Sequence, residues 1–220
     1  MPWDRSRYTY TPPSFPPLQS KLVLRPADVP NPLLRMVWHG PSVTVDEPDP
    51  YVADILFTMV NQPTSRISTK LVDSGLVTDF YIGYQSARNT GDISMYATVV
   101  DEADVGRVVS ILKEELRQMS KPGYFTEEDL ALAKQIMSDA RIFERENLYS
   151  YTIRTVPFWW SVTGGLDYYN SLIPNMNRVT LPQTQEFITE YVVGQPFILG
   201  VGAPEESLAN LDLTQGALTW

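Results

Sequence analysis

Cysteine is absent from this 220-residue chain, and histidine occurs once, as His39. Without thiols there can be no disulfide, no thiol nucleophile and no thiolate metal site. The shortage of histidine excludes more. A catalytic zinc ordinarily takes three protein ligands, commonly two His and one carboxylate, and keeps a fourth position open for water. A single imidazole cannot meet that count, and neither H-x-x-E-H nor its inversion occurs. Catalytic zinc within this chain is excluded on ligand number. An all-carboxylate magnesium or calcium site stays open, although Asp46-Glu47-Pro48-Asp49 lacks calcium-loop spacing and reads as a solvated turn with a helix cap.

Long apolar runs are also missing. Asp, Arg or Pro interrupts each one, and none approaches the roughly 20 residues that a membrane-spanning helix needs. The start, Met1-Pro2-Trp3-Asp4-Arg5, lacks the apolar stretch of a secretory signal. Three origins stay open: a cytoplasmic protein, one whose signal has been removed, or a piece of a longer chain. A basic patch is lacking too. Seventeen basic residues face 26 acidic ones, for a formal charge of −9. A field of that sign repels phosphate backbones and anionic lipid surfaces, so neither nucleic acid nor membrane is an expected partner.

What is present suits a folded domain. Hydrophobic residues make up 43% of the chain and aromatic residues 11%, enough for one substantial core or two small ones sharing a sheet. Residues 1–20 are rich in proline and aromatics (Pro12, Pro13, Pro16 and Pro17 among Tyr8, Tyr10 and Phe15) and read as an extended linker or wrapping arm. Residues 21–204 carry the periodic patterns of a domain, and residues 205–220 read as a weak, polar tail.

Within the domain, Leu22 to Leu24 and Leu33 to Trp38 read as strands, the second ended by Gly40-Pro41. Asp49-Pro50 opens a helix with Val52, Ile55, Leu56, Met59 and Val60 on one face. Ser65 caps a short helix that runs to Ser74-Gly75. Two strands follow, Val77 to Gln85 and Asp92 to Val100, joined by a hairpin-type connection. Val105, Val108, Val109, Leu112, Leu116 and Met119 keep a 3.6-residue period. Thr126 caps a long helix reaching at least Asn147 and, at its longest, Thr155. Helical segments around 158–163, 165–173 and 181–193 precede a last strand, Phe197 to Gly202. Paired strands separated by grouped helices predict an α+β fold: two layers, a mostly antiparallel sheet with helices packed on one face.

The remaining candidates for chemistry are few. His39 ends an apolar strand with no G-x-S-x-G in the chain, and a structural role is expected. Asp73-Ser74-Gly75 has the neighbourhood of an aspartic protease loop, but that mechanism needs two carboxylates sharing a proton. One copy is present, and Leu76 follows the glycine. A helix C-terminus with Gly75 in the left-handed conformation is the simpler reading. Gly164-Gly165 and Gly194 are isolated breakers. Phe158-Trp159-Trp160 with Tyr168-Tyr169 are expected to form core or interface.

Four stretches then resemble one family. Leu33 to Pro41, closing Trp38-His39-Gly40-Pro41, is similar to the strand that precedes the first helix of the M16 family, that of insulinase and the mitochondrial processing peptidase. Ser65-Arg66-Ile67 through Leu71-Val72-Asp73-Ser74-Gly75-Leu76 resembles its Ser-Arg-Leu…Leu-Val-Glu-x-Gly-Leu helix and turn. Thr126 to Lys134 and Val179 to Tyr191 resemble its Thr-x-Glu-Glu-Leu-x-x-Ala-Lys and late Val-Thr…Tyr helices. The likeness runs from about Lys21 to Ala203 and is to the family's second, inactive type of domain.

The resemblance implies the LuxS/MPP-like metallohydrolase half-domain fold. It also implies a mechanism in which two homologous halves enclose a chamber, the catalytic half holding zinc on an H-x-x-E-H helix. Here the corresponding helix reads Tyr51-Val52-Ala53-Asp54-Ile55. The chain is thus expected to lack catalytic residues and metal ligands. It would act beside a catalytic M16 domain, in cis or in trans, which carries the zinc and acts on a peptide substrate. Inactive halves commonly offer an Arg and a Tyr spaced by six residues; matching on Gly75-Leu76 puts Lys70 and Val77 there. Lys70 is the one expected substrate-binding residue. A bacterial origin is expected, periplasmic or exported if the chain is cut from a larger precursor and cytoplasmic otherwise. A catalytically silent scaffold of the same fold is the alternative, and an aspartic protease using Asp73 the third.

Overall fold

The computed structural model describes residues 16–211 and 213–220. Most of the proline-rich arm, residues 1–15, lies outside the described residues. The first strands are β1 (Lys21–Pro26) and β2 (Leu33–Gly40). Helix α1 (Asp49–Val60) follows, then α2 (Arg66–Ser68), which widens into a π-helical turn, Thr69–Asp73. The hairpin β3 (Val77–Gln85) and β4 (Gly91–Val99) leads to α3 (Val105–Met119) and α4 (Glu127–Glu146). Beyond these come α5 (Leu148–Ser150), α6 (Val156–Thr163), α7 (Asp167–Met176), α8 (Leu181–Tyr191), β5 (Ile198–Ala203) and α9 (Glu205–Leu208).

The five strands form one sheet in the order β1-β5-β2-β4-β3. Among the described residues the β1–β5 pair is parallel and the other pairs are antiparallel. Because side chains alternate along a strand, one residue set lines each face. Leu34, Met36 and Trp38 of β2, Ile93, Met95 and Ala97 of β4, and Leu199 and Val201 of β5 point to the core. The opposite residues, Leu33, Arg35 and His39 on β2, are exposed. Helices cover the first face alone. The fold is α+β, as the pairing of strands in sequence predicts.

Local chemistry explains the element boundaries. Thr126 and Asp129 make a reciprocal capping box at the start of α4, with N–H to oxygen distances of 2.8 and 3.2 Å. Gly75 takes φ +76° just after the π-helical turn, and the Leu76 N–H donates to the Leu71 carbonyl at 3.1 Å. Asp73-Ser74-Gly75 is therefore a helix C-terminus, and Asp73 is exposed. Helix α1 is buried on nearly every side, between β3 of the sheet and α2, α4, α7 and α8.

Most boundaries differ from the sequence expectation by one to three residues. The long helix stops at Glu146, because Asn147 leaves helical geometry and its Oδ1 accepts the Ser150 N–H at 3.0 Å, starting a new turn. Strands β4 and β5 each sit one residue from their expected limits. The tail is also less idle than its composition suggests. Leu213, Leu218 and Trp220 pack against the core, and the Lys113 ammonium donates to the Ala217 carbonyl at 2.9 Å and to the Thr219 carbonyl.

Candidate functional site

Helix α1 holds the five positions that the family resemblance makes diagnostic. Tyr51, Val52, Ala53 and Ile55 are buried. Tyr51 stacks on Tyr168, ring centroids 5.0 Å apart, and its hydroxyl donates to Glu47 Oε1 at 3.1 Å. Asp54 is the one ionisable group among the five with a carboxylate. It is half-buried as a residue, but burial of its carboxyl raises the pKa to about 7, and Arg141 offsets this only in part. No group of three or more His, Asp or Glu is placed to hold a metal ion among the described residues. A lone buried carboxylate, its charge offset in part by Arg141, does not fit a hydrolytic zinc.

Lys70 lies on the π-helical turn after α2, where its ammonium donates to Glu115 Oε1. Glu115 belongs to α3 and is 1% exposed. Its second oxygen accepts from the Tyr124 hydroxyl at 2.7 Å, and burial followed by this acidic partner raises the tyrosine pKa. The Arg66 guanidinium sits 5.2 Å from the Tyr124 ring centre. The ammonium of Lys70 therefore neutralises a buried carboxylate and ties the turn to α3. Its stem stays exposed, with 56% of the side chain accessible. Val77 is buried at the start of β3 and offers nothing polar.

The face of the sheet opposite the core carries a run of exposed side chains. Tyr81 of β3 and Tyr96 of β4 stand opposite each other in register, 46% and 47% exposed, with ring centroids 5.5 Å apart. Arg35 of β2 is the next cross-strand neighbour, and Gly200 of β5 follows it. Gly83 is needed here, since a Cβ at that position would come within 2.7 Å of the Tyr81 ring. The outcome is a floor of two stacked tyrosines, an arginine and a side-chain-free strip. Phe80, Ile82 and Tyr84 alternate onto one face of β3, the one that packs against the core. The same alternation puts Tyr81 and Tyr96 on the other face, a signal that goes unused until that face is known to be bare.

The other candidates divide. His39 is exposed beside a 320 Å³ cavity that Glu190 and Tyr191 also line. Of the aromatic cluster, Trp159 is buried against Tyr168 at 5.0 Å and Tyr169 at 6.2 Å, whereas Phe158 and Trp160 are exposed. Gly164 and Gly194 take φ +80° and +79°, as chain breakers should.

Residues 3–137 match the family model described as the peptidase M16 inactive domain. No curated protein sequence matches the chain. Among solved structures, a chain of complex III2 from Candida albicans, bound to Inz-5, superposes with a TM-score of 0.70 at 14% identity, over 87% of this chain and 49% of its own. A protease from Helicobacter pylori gives 0.69 at 16% identity, over 86% and 46%. The inactive peptidase domain of a Bordetella parapertussis protein, described as a zinc protease, gives 0.69 at 16% identity, over 82% and 94%. The chain thus spans about half the length of the first two, and nearly all of the third. At these identities the likeness is one of fold.

Proposed function

Because the chain belongs to the M16 peptidase family as an inactive domain, we propose that it is the non-catalytic half of a zinc metallopeptidase. It works beside a separate H-x-x-E-H domain, fused to it or paired with it, and that domain holds the zinc. This chain supplies one wall of the enclosed chamber, and its bare sheet face binds the peptide. The single observation that carries the reading is the combination on α1. The helix is kept, yet Tyr51, Asp54 and Ile55 offer one carboxylate where a zinc helix needs two imidazoles. The stacked pair Tyr81–Tyr96 supports peptide contact.

The test has two arms. The pure chain should show no chelator-sensitive peptide cleavage. A catalytic domain carrying H-x-x-E-H, sought in the same precursor or a neighbouring gene, should gain activity when this chain is added. In that pair, Tyr81→Ala with Tyr96→Ala should raise KM at least threefold while kcat changes less. Cleavage by the pure chain would end the proposal. An unchanged KM would remove the sheet face from it.

A second reading, a scaffold that keeps the fold without proteolysis, is favoured by the likeness to a chain of complex III2. It predicts stable association with other proteins and no gain in peptide cleavage with any H-x-x-E-H domain.

A further inference from the structure

Residues 1–15 carry Trp3, Tyr8, Tyr10 and Phe15 together with Pro2, Pro12 and Pro13, and Pro16 follows them as the first described residue. The chain then joins the sheet at one end. Ser20 Oγ accepts the Phe197 N–H at 3.3 Å, and the Lys21 N–H donates to the Phe197 carbonyl at 3.1 Å. Phe197 precedes β5, whose first residue, Ile198, pairs with Val37 of β2. This is the end of the sheet where His39 stands. Pro17 and Leu18 line the 320 Å³ cavity with His39, and His39 alternates onto the same face of β2 as Arg35. The point at which residues 1–15 begin is therefore the rim of the bare sheet face.

That face offers what a proline- and aromatic-rich segment binds. Tyr81 and Tyr96 are stacked and half exposed. The exposed Arg35 side chain has no ion pair or hydrogen bond among the described residues. A Cβ at Gly200 would meet only the Arg35 carbonyl, at 3.8 Å, among the described residues, so the strip beside the arginine is open. Proline-rich chains hold a polyproline helix in advance, lose little entropy on docking, and favour surfaces lined with aromatic rings. Their backbone carbonyls have no internal partner, and a flat guanidinium can donate to them or stack on an aromatic ring.

Length agrees with chemistry. Arg35 lies about 13 Å from His39 along β2, and Tyr96 and Tyr81 follow on the next two strands, about 5 Å apart. The stretch from Pro17 back to Thr11 spans about 19 Å as a polyproline helix. Tyr10 to Pro13 can thus reach over Arg35 and the stacked tyrosines. A tethered segment also acts at an effective concentration on the order of millimolar, which favours it over a free peptide of the same chemistry. We propose that residues 8–15 lie across the bare sheet face, on Arg35, Tyr96 and Tyr81, and so occupy the surface that a substrate peptide would use. The docking stands by itself; the competition with substrate rests on the peptidase reading.

Amide NMR on the whole chain tests the docking. Pro12→Ala with Pro13→Ala should shift the Arg35, Tyr81, Gly83 and Tyr96 amides, which lie far from both substitutions in sequence. The blocked peptide of residues 8–15 should shift the same amides in a variant lacking residues 1–15. It should bind the whole chain at least fivefold more weakly, because the tethered copy is already in place. Tyr81→Ala with Tyr96→Ala should lower its affinity for the shortened chain at least fivefold. Shifts confined to other residues, shifts that grow with protein concentration, or equal peptide affinity for the two chains would overturn the docking. The whole-chain comparison decides the matter if the shortened chain fails to fold. In the pair with an H-x-x-E-H domain, removing residues 1–15 should lower KM at least threefold, and an unchanged KM would overturn the competition. With those residues removed, the Tyr81 and Tyr96 substitutions act on substrate alone, and their effect on KM should exceed that in the whole chain. No catalytic partner enters the NMR experiment, so its failure is distinct from failure of the peptidase reading.

Discussion

Asn61 lies against Ile82 much as a residue of a further strand would. Its Oδ1 accepts the Ile82 N–H at 3.0 Å, and its amide nitrogen donates to the Ile82 carbonyl at 2.7 Å. Ile82 is central in β3, and β3 is an edge strand. Unpaired edges invite addition of strands from other chains. A single carboxamide at the end of α1 thus closes the middle of this edge and fastens the helix to the sheet.

Asn61→Ala leaves both Ile82 backbone groups without their partner. The expected loss is about 1–3 kcal/mol of stability, with more concentration-dependent self-association. Denaturant unfolding and light scattering measure the two. Wild-type stability together with unchanged self-association would mean that the carboxamide guards nothing.

Lys70 and Glu115 form the second test. Truncating Lys70 to Met leaves the Glu115 carboxylate buried with Tyr124 as its remaining partner. The lysine is more than half exposed, so solvent screens its contribution, and a cost of about 1–2 kcal/mol is expected. Lys70→Met combined with Glu115→Gln should cost less than the sum of the single changes. Additivity would show that the pair is not coupled. Under the peptide-binding role, Lys70→Met would also raise KM in the reconstituted pair beyond what its stability loss explains.

Asp54 gives a prediction in pH. Its folded pKa, about 7, lies above that of an unfolded aspartate, so the folded state holds the proton more tightly. Its contribution is fully present below about pH 4 and is lost as pH rises toward 7. Asp54→Asn should therefore be close to neutral at pH 4 and stabilising by about 1–3 kcal/mol at pH 8. Unfolding measured at both values decides it. A destabilised amide variant at pH 8 would mean that the carboxylate is charged in the fold and held by Arg141.

Regular elements were legible because periodicity records burial. The Val105 to Met119 spacing, the Thr126 cap and the Gly75 turn each follow from local chemistry, and each is found where the sequence puts it. The site was less legible because its contacts join distant segments. Glu115 looks like any other acid on an amphipathic helix until Lys70, 45 residues away, and Tyr124 meet it. Asn61 reads as a residue after a helix, and nothing local reveals that Ile82 is its partner. Tyr81 and Tyr96 alternate correctly, but alternation does not say which face of a sheet stays uncovered.

The tail makes the last case. Residues 205–220 have the composition of a loose end, yet Trp220 packs its ring 5.6 Å from Phe197 and 6.4 Å from Trp38, both fully buried. Its indole N–H donates to the Gln195 carbonyl at 2.9 Å, and the Arg117 guanidinium lies 5.8 Å from the ring centre. Lys113, whose pKa is lowered by burial, points its ammonium at the Ala217 and Thr219 carbonyls and so fixes the approach to Trp220. A polar stretch ending in one large aromatic anchor behaves as a strap over the open end of the core. Trp220→Ala should therefore cost about 2 kcal/mol, below the full value for a buried tryptophan because the ring is partly exposed. Lys113→Met should loosen the same strap, and the two changes together should cost less than their sum because each releases the same short segment. Unfolding of the three variants, with protease cleavage of the tail as a second readout, provides the check. A Trp220→Ala loss below about 0.5 kcal/mol, the size of an ordinary surface substitution, would show that the strap adds nothing to the fold.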